Sequence, residues 1–210
     1  MLIGGGTGAG KSTVASRLAR ELGITRVSST DVIREVMRSV VPETIAPELA
    51  RSSFELDNHP SPNGATAHAE LERQVQQVLV GVRAEIERTA REGTSLIVEG
   101  IHLFPGLVDI RGGSDSVAVH VILTVDERDD LVDRFEVRGA TSERPATRYE
   151  EGLDAIRELQ AHLVALARRI GVPVIENKHL DTTVSRVLDL IFTAVKDVRS
   201  PGGLAPAPGS

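Results

Sequence analysis

The stretch Ile3-Gly4-Gly5-Gly6-Thr7-Gly8-Ala9-Gly10-Lys11-Ser12-Thr13-Val14 decides the fold. Within it, Gly5-x4-Gly10-Lys11-Ser12 fits the pattern G-x-x-x-x-G-K-[ST], in which glycines let successive backbone N–H groups turn inward around phosphate oxygens. Met1 to Ile3 is an apolar run that reads as a strand. Val14, Leu18 and Leu22 then keep a helical period that stops at Gly23, a helix C-cap residue. Strand, loop and helix together aim the positive end of a helix at a bound phosphate. Gly6, Thr7, Gly8, Ala9, Gly10, Lys11, Ser12 and Thr13 are therefore the expected nucleotide-binding residues, with Lys11 reaching the β and γ phosphates and Ser12 ligating Mg²⁺. Only three residues precede the glycines, against about five or six for an average strand. The natural start is therefore expected a few residues upstream, or the sequence is trimmed.

Outward from the loop, strands and helices alternate. Ile24 to Ser28 reads as a second strand, and Ser28-Ser29-Thr30-Asp31 supplies the N-cap of a helix bearing Val32, Ile33, Val36 and Met37. Periodicity is lost from Val41 to Gly64, which predicts a flap over about residues 41–65. A long amphipathic helix is expected from about Thr66 to Arg91, and buried strands over Ser95 to Val98 and Val117 to Val125. A helix over Asp126 to Gly139 precedes an arginine-rich turn. Another helix ends at Ile170, then come a strand at Val172 to Ile175 and a closing helix from Asp181 to Val198. This order predicts an α/β fold: a parallel five-stranded sheet, order 2-3-1-4-5, with helices on both faces and an arginine-bearing lid at about 134–148. One domain is expected over residues 1–198, followed by a disordered tail at 199–210 rich in Pro, Gly and Ala.

Ligands in open α/β sheets bind at the carboxyl ends of the strands, and the residues there narrow the chemistry. Asp31 follows the second strand, where a carboxylate could accept a hydroxyl proton, support Mg²⁺ through water, or simply cap its helix. Arg34 and Arg38 continue one helix face behind it, a set suited to an anionic acceptor. Glu99 ends the third strand in the position of an acid that manages Mg²⁺. Gly100 lets the chain turn, and His102 is either a substrate contact or a loop histidine. Arg134, Arg138, Arg144 and Arg148 flank the break between two helices, where a closing lid would bring guanidinium groups onto the transferring phosphoryl. Asn177, after the fifth strand, is a candidate for the adenine edge.

These blocks resemble the 2-phosphoglycerate kinase family of P-loop kinases. The resemblance runs through Ile3 to Val14, Ser29 to Arg38, Arg51-Ser-Ser-Phe54, Ile97 to Gly106, Ile156 to Gln160 and Val172 to Asn177. It implies transfer of the ATP γ-phosphoryl group to the 3-hydroxyl of 2-phosphoglycerate. It also implies nucleotide and metal roles for Lys11 and Ser12, catalytic or substrate roles for Asp31, Arg34 and Glu99, and a substrate role for Arg51.

The whole-chain arithmetic agrees with a locally held anion. Among 210 residues, 24 are Lys or Arg and 30 are Asp or Glu, a formal charge of −6 that disfavours a general nucleic-acid or membrane-surface binder. No cysteine is present, which excludes disulfides and thiolate metal sites. No apolar run reaches the length of a membrane span and no signal peptide precedes the loop, so a cytoplasmic location is expected. Of the three lysines, Lys11, Lys178 and Lys196, one stands in the phosphate loop. The reading is an ATP- and Mg²⁺-dependent kinase for a small anionic substrate. A kinase for a sugar, nucleoside or antibiotic hydroxyl is the alternative within the fold, and a nucleotide-dependent switch the alternative outside it. Asn177-Lys178-His179-Leu180 lacks the aspartate of the guanine-reading N-K-x-D motif, which argues against a GTPase.

Overall fold

A computed structural model describes residues 1–51, 67–108, 116–132, 134 and 152–199. In chain order the elements are β1 (Leu2–Gly5), α1 (Lys11–Leu22), β2 (Arg26–Ser29), α2 (Thr30–Val40), α3 (Pro47–Ala50), α4 (Ala67–Arg91), β3 (Leu96–Gly100), β4 (His120–Thr124), α5 (Leu153–Ile170), β5 (Val174–Glu176) and α6 (Leu180–Arg199). Most of the flap (52–65), Arg138, Arg144 and Arg148 of the lid, and the tail from 200 lie outside the described residues.

The five strands form one sheet in the order β2-β3-β1-β4-β5, and each neighbouring pair is parallel. The order matches the expectation from the sequence. Alternation along each strand sends successive side chains to opposite faces. Leu2, Val98 and Ile122 point to the face covered by α2, α3, α4 and α5, where Leu71, Val75, Leu79, Phe104, Leu159 and Leu163 complete one core. Ile3, Ile97, Val121 and Leu123 point to the other face and pack with Val14, Leu18, Val184 and Val187 of α1 and α6. Both faces are covered, so the inner strands are mostly apolar, as parallel strands require, with Glu99 left for the carboxyl end of β3.

β1 corrects one expectation. The strand does not stop at Ile3 but runs two glycines further, through Gly4 and Gly5, pairing with β3 on one side and β4 on the other. A side chain at Gly4 would stand 2.6 Å from Ile122 Cδ1 and 2.8 Å from the Leu103 carbonyl, so only glycine lets the three central strands close here. β4 is shorter than the apolar run that marks it, since residues 116–119 have no regular structure.

Candidate active site

Parallel register brings three strand ends to one edge of the sheet. Glu99 of β3 lies opposite Ile3 on one side and Ser29 on the other, which sets it between the glycine loop and the start of α2.

The loop leaves β1 and enters α1 through Gly10, the helix N-cap, at φ 78. A Cβ there would be strained by the backbone and would overlap Asn177 Nδ2. Lys11 Nζ donates to the Gly6 carbonyl at 2.8 Å, folding the lysine across the mouth of the loop. Asn177 is buried behind it, its backbone N–H donating to Thr124 O at 2.8 Å and its side-chain nitrogen to Ala9 O at 2.9 Å. Arg134 donates from Nη1 to Gly8 O at 3.2 Å and from Nη2 to Asn177 O. Asn177 and Arg134 therefore strap the back of the phosphate loop. Here their donors serve loop carbonyls turned away from the phosphate side, which need donors of their own. Gln160, to which the sequence assigned no role, pairs both ends of its amide with Val125, accepting from N at 2.9 Å and donating to O at 3.0 Å, which fixes the chain just after β4.

Ser12 and Glu99 come together. Ser12 Oγ donates to Glu99 Oε1 at 3.0 Å, and Glu99 is 7% exposed. Among the described residues no group of three His, Cys, Asp or Glu side chains is gathered. One hydroxyl and one carboxylate are hard oxygen donors, too few to cage a metal but suited to Mg²⁺, which keeps several waters and takes phosphate oxygens as ligands.

On the other side of Glu99, the cap of α2 belongs to Ser29. Its Oγ accepts from Asp31 N at 3.3 Å, so the Asp31 carboxylate is not used in capping and stays two-thirds exposed. His102 is wholly buried, with Nδ1 2.8 Å from Thr30 Oγ1, Nε2 3.0 Å from Gln74 Oε1, and Nδ1 4.0 Å from Asp31 Oδ1. Burial pushes the imidazole down to about 4; Asp31 opposes the shift, and the Arg34 and Lys11 cations add to it. The direct substrate contact considered for His102 is thereby corrected to a buried polar link.

The arginines of this side are committed elsewhere. Arg34, 7% exposed, donates from Nη1 to Leu49 O at 2.6 Å and Arg51 O at 3.2 Å, and from Nη2 to Glu35. The short helix α3 leaves those carbonyls without helical partners, and Arg34 Nη1 meets both, joined at Arg51 O by Gln74 Nε2. Arg34 thus spends its Nη donors on those carbonyls and on Glu35, while the Asp31 carboxylate stays exposed. Arg38 Nε pairs with Glu35 at 2.8 Å on the exposed side of α2, and Arg51 Nη1 pairs with Glu70 at 2.8 Å.

Comparison with known proteins fits this geometry. Residues 1–158 match the family described as AAA domain. The 2-phosphoglycerate kinase of Pyrococcus horikoshii is 40% identical over 208 residues, covering 97% of this chain and 67% of that protein. That of Thermococcus kodakarensis is 40% identical over 190 residues, covering 90% and 64%. The chain thus spans about two thirds of the length of these relatives. Among solved structures, a shikimate kinase from Acinetobacter baumannii in complex with shikimate superposes with TM-score 0.53 at 18% identity, covering 91% of each chain. A gluconokinase from Sinorhizobium meliloti does so with TM-score 0.51 at 15% identity, covering 94% of each. Those two likenesses establish the sheet architecture alone. No described helix is long and apolar enough to cross a membrane. With two-fifths of positions identical over nearly the whole chain and the loop, Glu99 and Asp31 on one sheet edge, the chain belongs to the 2-phosphoglycerate kinase family.

Proposed function

We propose that this chain is an ATP-dependent kinase that phosphorylates a hydroxyl of a small anionic acceptor, 2-phosphoglycerate, giving 2,3-bisphosphoglycerate and ADP. The observation that carries the reading is the order of groups along one sheet edge. Lys11 and Ser12 stand at the phosphate loop, Glu99 is bonded to Ser12, and the exposed Asp31 carboxylate follows the neighbouring strand.

In the reaction the acceptor oxygen forms a bond to the γ-phosphorus. The bond from that phosphorus to the β–γ bridging oxygen breaks, and the hydroxyl proton leaves toward a carboxylate. Loop N–H groups and Lys11 hold the β and γ phosphates. Ser12 and Glu99 would hold Mg²⁺, which when bound shields the charge between phosphate oxygens. Asp31 orients the acceptor hydroxyl and receives its proton. The loop straps Asn177 and Arg134 keep the loop carbonyls turned away from the phosphates. Arg38 and Arg51, each paired with a carboxylate, are proposed to exchange that partner for an acceptor anion. Lid arginines, Arg138 among them, are proposed to meet the transferring phosphoryl.

Coupled ADP release tests the reading. Turnover is expected to depend on added 2-phosphoglycerate and to saturate with it. ATP turnover indifferent to 2-phosphoglycerate but stimulated by another small alcohol would replace the acceptor. Nucleotide-dependent capture of a protein without small-molecule turnover would replace the reaction. Asp31→Asn is expected to lower kcat by about 100-fold with ATP binding nearly intact.

A further inference from the structure

We propose that Gln74 and Thr30 are positioning residues that fix His102 in its Nε2–H tautomer and so keep the Asp31 carboxylate available to the acceptor. The proposal rests on the kinase reading above and adds two residues that no motif in the sequence marks.

The order of donors settles the tautomer. Gln74 Nε2 faces the carbonyl oxygens of Glu48 and Arg51, the latter at 2.9 Å, and only the nitrogen of an amide can donate to them. Gln74 Oε1 is then the atom that meets His102 Nε2 at 3.0 Å, and it can only accept, so Nε2 carries the proton. Nδ1 is left with a lone pair. Thr30 Oγ1, at 2.8 Å, donates into it.

Asp31 approaches the same nitrogen, with Oδ1 at 4.0 Å. A carboxylate facing a lone pair gains no hydrogen bond. With the opposite tautomer, or with the ring taking up a proton once the Thr30 hydroxyl no longer fills the Nδ1 lone pair, Nδ1–H would instead bond the carboxylate and draw it from the solvent side. Two features hold the link closed. Burial and the nearby Lys11 and Arg34 cations disfavour imidazolium. Gly100, at φ 154, leaves just enough room for Thr30, since a Cβ there would overlap the Thr30 hydroxyl. Gln74, His102 and Thr30 are closed to solvent, so they act through Asp31 and not on the substrate. The link also begins at the carbonyls of residues 48 and 51, the described end of the flap.

Long-range ¹H–¹⁵N NMR correlation of the imidazoles tests the tautomer directly in the unaltered chain. The expected result is a neutral His102 protonated at Nε2; an Nδ1–H signal overturns the proposal. Thr30→Val keeps the shape and removes the hydroxyl. It should lower kcat by about tenfold while the KM for ATP stays within about twofold, and Thr30→Ser should restore kcat. Unchanged kcat in Thr30→Val, or a loss in both variants alike, overturns the positioning role. Should Thr30→Val fail to fold, the comparison of Thr30→Ser with Gln74→Met gives the same readout: the first retains kcat and the second loses it, and equal kcat in the two overturns the proposal. If the unaltered chain shows no turnover with 2-phosphoglycerate, the acceptor reading fails, and the tautomer in the unaltered chain and in Thr30→Ser decides the link on its own.

Discussion

Ser12 and Glu99 are 87 positions apart in sequence and share a hydrogen bond of 3.0 Å, which joins the phosphate loop to the end of the neighbouring strand. Because Glu99 is buried, its charge is tolerable only where cations and hydroxyls meet it. Glu99→Gln keeps the shape and an acceptor for Ser12 but removes the charge. Turnover at saturating ATP is expected to fall by about 100-fold or more, and the Mg²⁺ concentration for half-activity to rise, with little change in thermal midpoint. A Mg²⁺ titration of initial rates checks this; an unchanged half-activity concentration would assign Glu99 to the fold alone.

Arg34 is the opposite case, a residue whose measured effect should be on stability. Its Nη1 serves the Leu49 and Arg51 carbonyls while Nη2 meets Glu35, a spread of donors that a single ammonium cannot reproduce. Arg34→Lys is expected to leave the Leu49 carbonyl unpaired, since Arg51 O keeps its bond from Gln74 Nε2, a loss of about 1–3 kcal/mol. Urea unfolding should show that loss, and amide exchange should speed up first around residues 47–51. Equal stability of Arg34→Lys and the parent chain would return Arg34 to the acceptor anion.

What the sequence revealed and what it hid follow from the range of the physics involved. The loop, the strands and the apolar stripes of the helices were legible because each depends on neighbours in sequence, glycines at fixed spacing, an apolar run, a period of 3.6, and the strand order followed from the kind of fold that the loop marks. The ends of β4 and β5 were less so, since pairing and not propensity sets them. Arg34 misled because its partners, Leu49 O and Arg51 O, are orphaned by a helix of four residues that no local pattern announces. Asn177 misled in the same way. Its position after a strand end was readable, but its amide turns to Ala9, 168 positions earlier. Gln74 was invisible among the polar positions of a long helix.

Asn177 gives a direct test of the strapped loop. Asn177→Ala removes the donor to Ala9 O and opens space beside Gly10. The loop is expected to sample conformations that do not bind phosphate, raising the ATP dissociation constant about tenfold while kcat at saturation changes less. Isothermal titration with a non-hydrolysable ATP analogue measures the affinity. A fall in kcat with unchanged affinity would instead place Asn177 in the chemistry.

Acid sensitivity follows from two buried imidazoles. Burial pushes both His102 and His120 down to about 4, whereas an exposed histidine in the unfolded chain titrates near 6.5. The folded pKa lies below the unfolded one, so between these values the unfolded chain binds more protons and acid favours unfolding. The contribution of the neutral rings is fully present above about pH 6.5 and is lost as pH falls toward 4. While both titrate, the slope is on the order of 1.4 kcal/mol per pH unit for each histidine. Glu35, held below its ordinary value chiefly by its hydrogen bond from Arg38, loses its contribution only at lower pH than the histidines. Urea midpoints measured from pH 7.5 down to 4.5 should therefore fall steadily with acid, and His120→Gln should remove about half of the slope below pH 6.5. A midpoint flat across that window would mean that the rings can reach water in the folded state and that the buried His102 link is open.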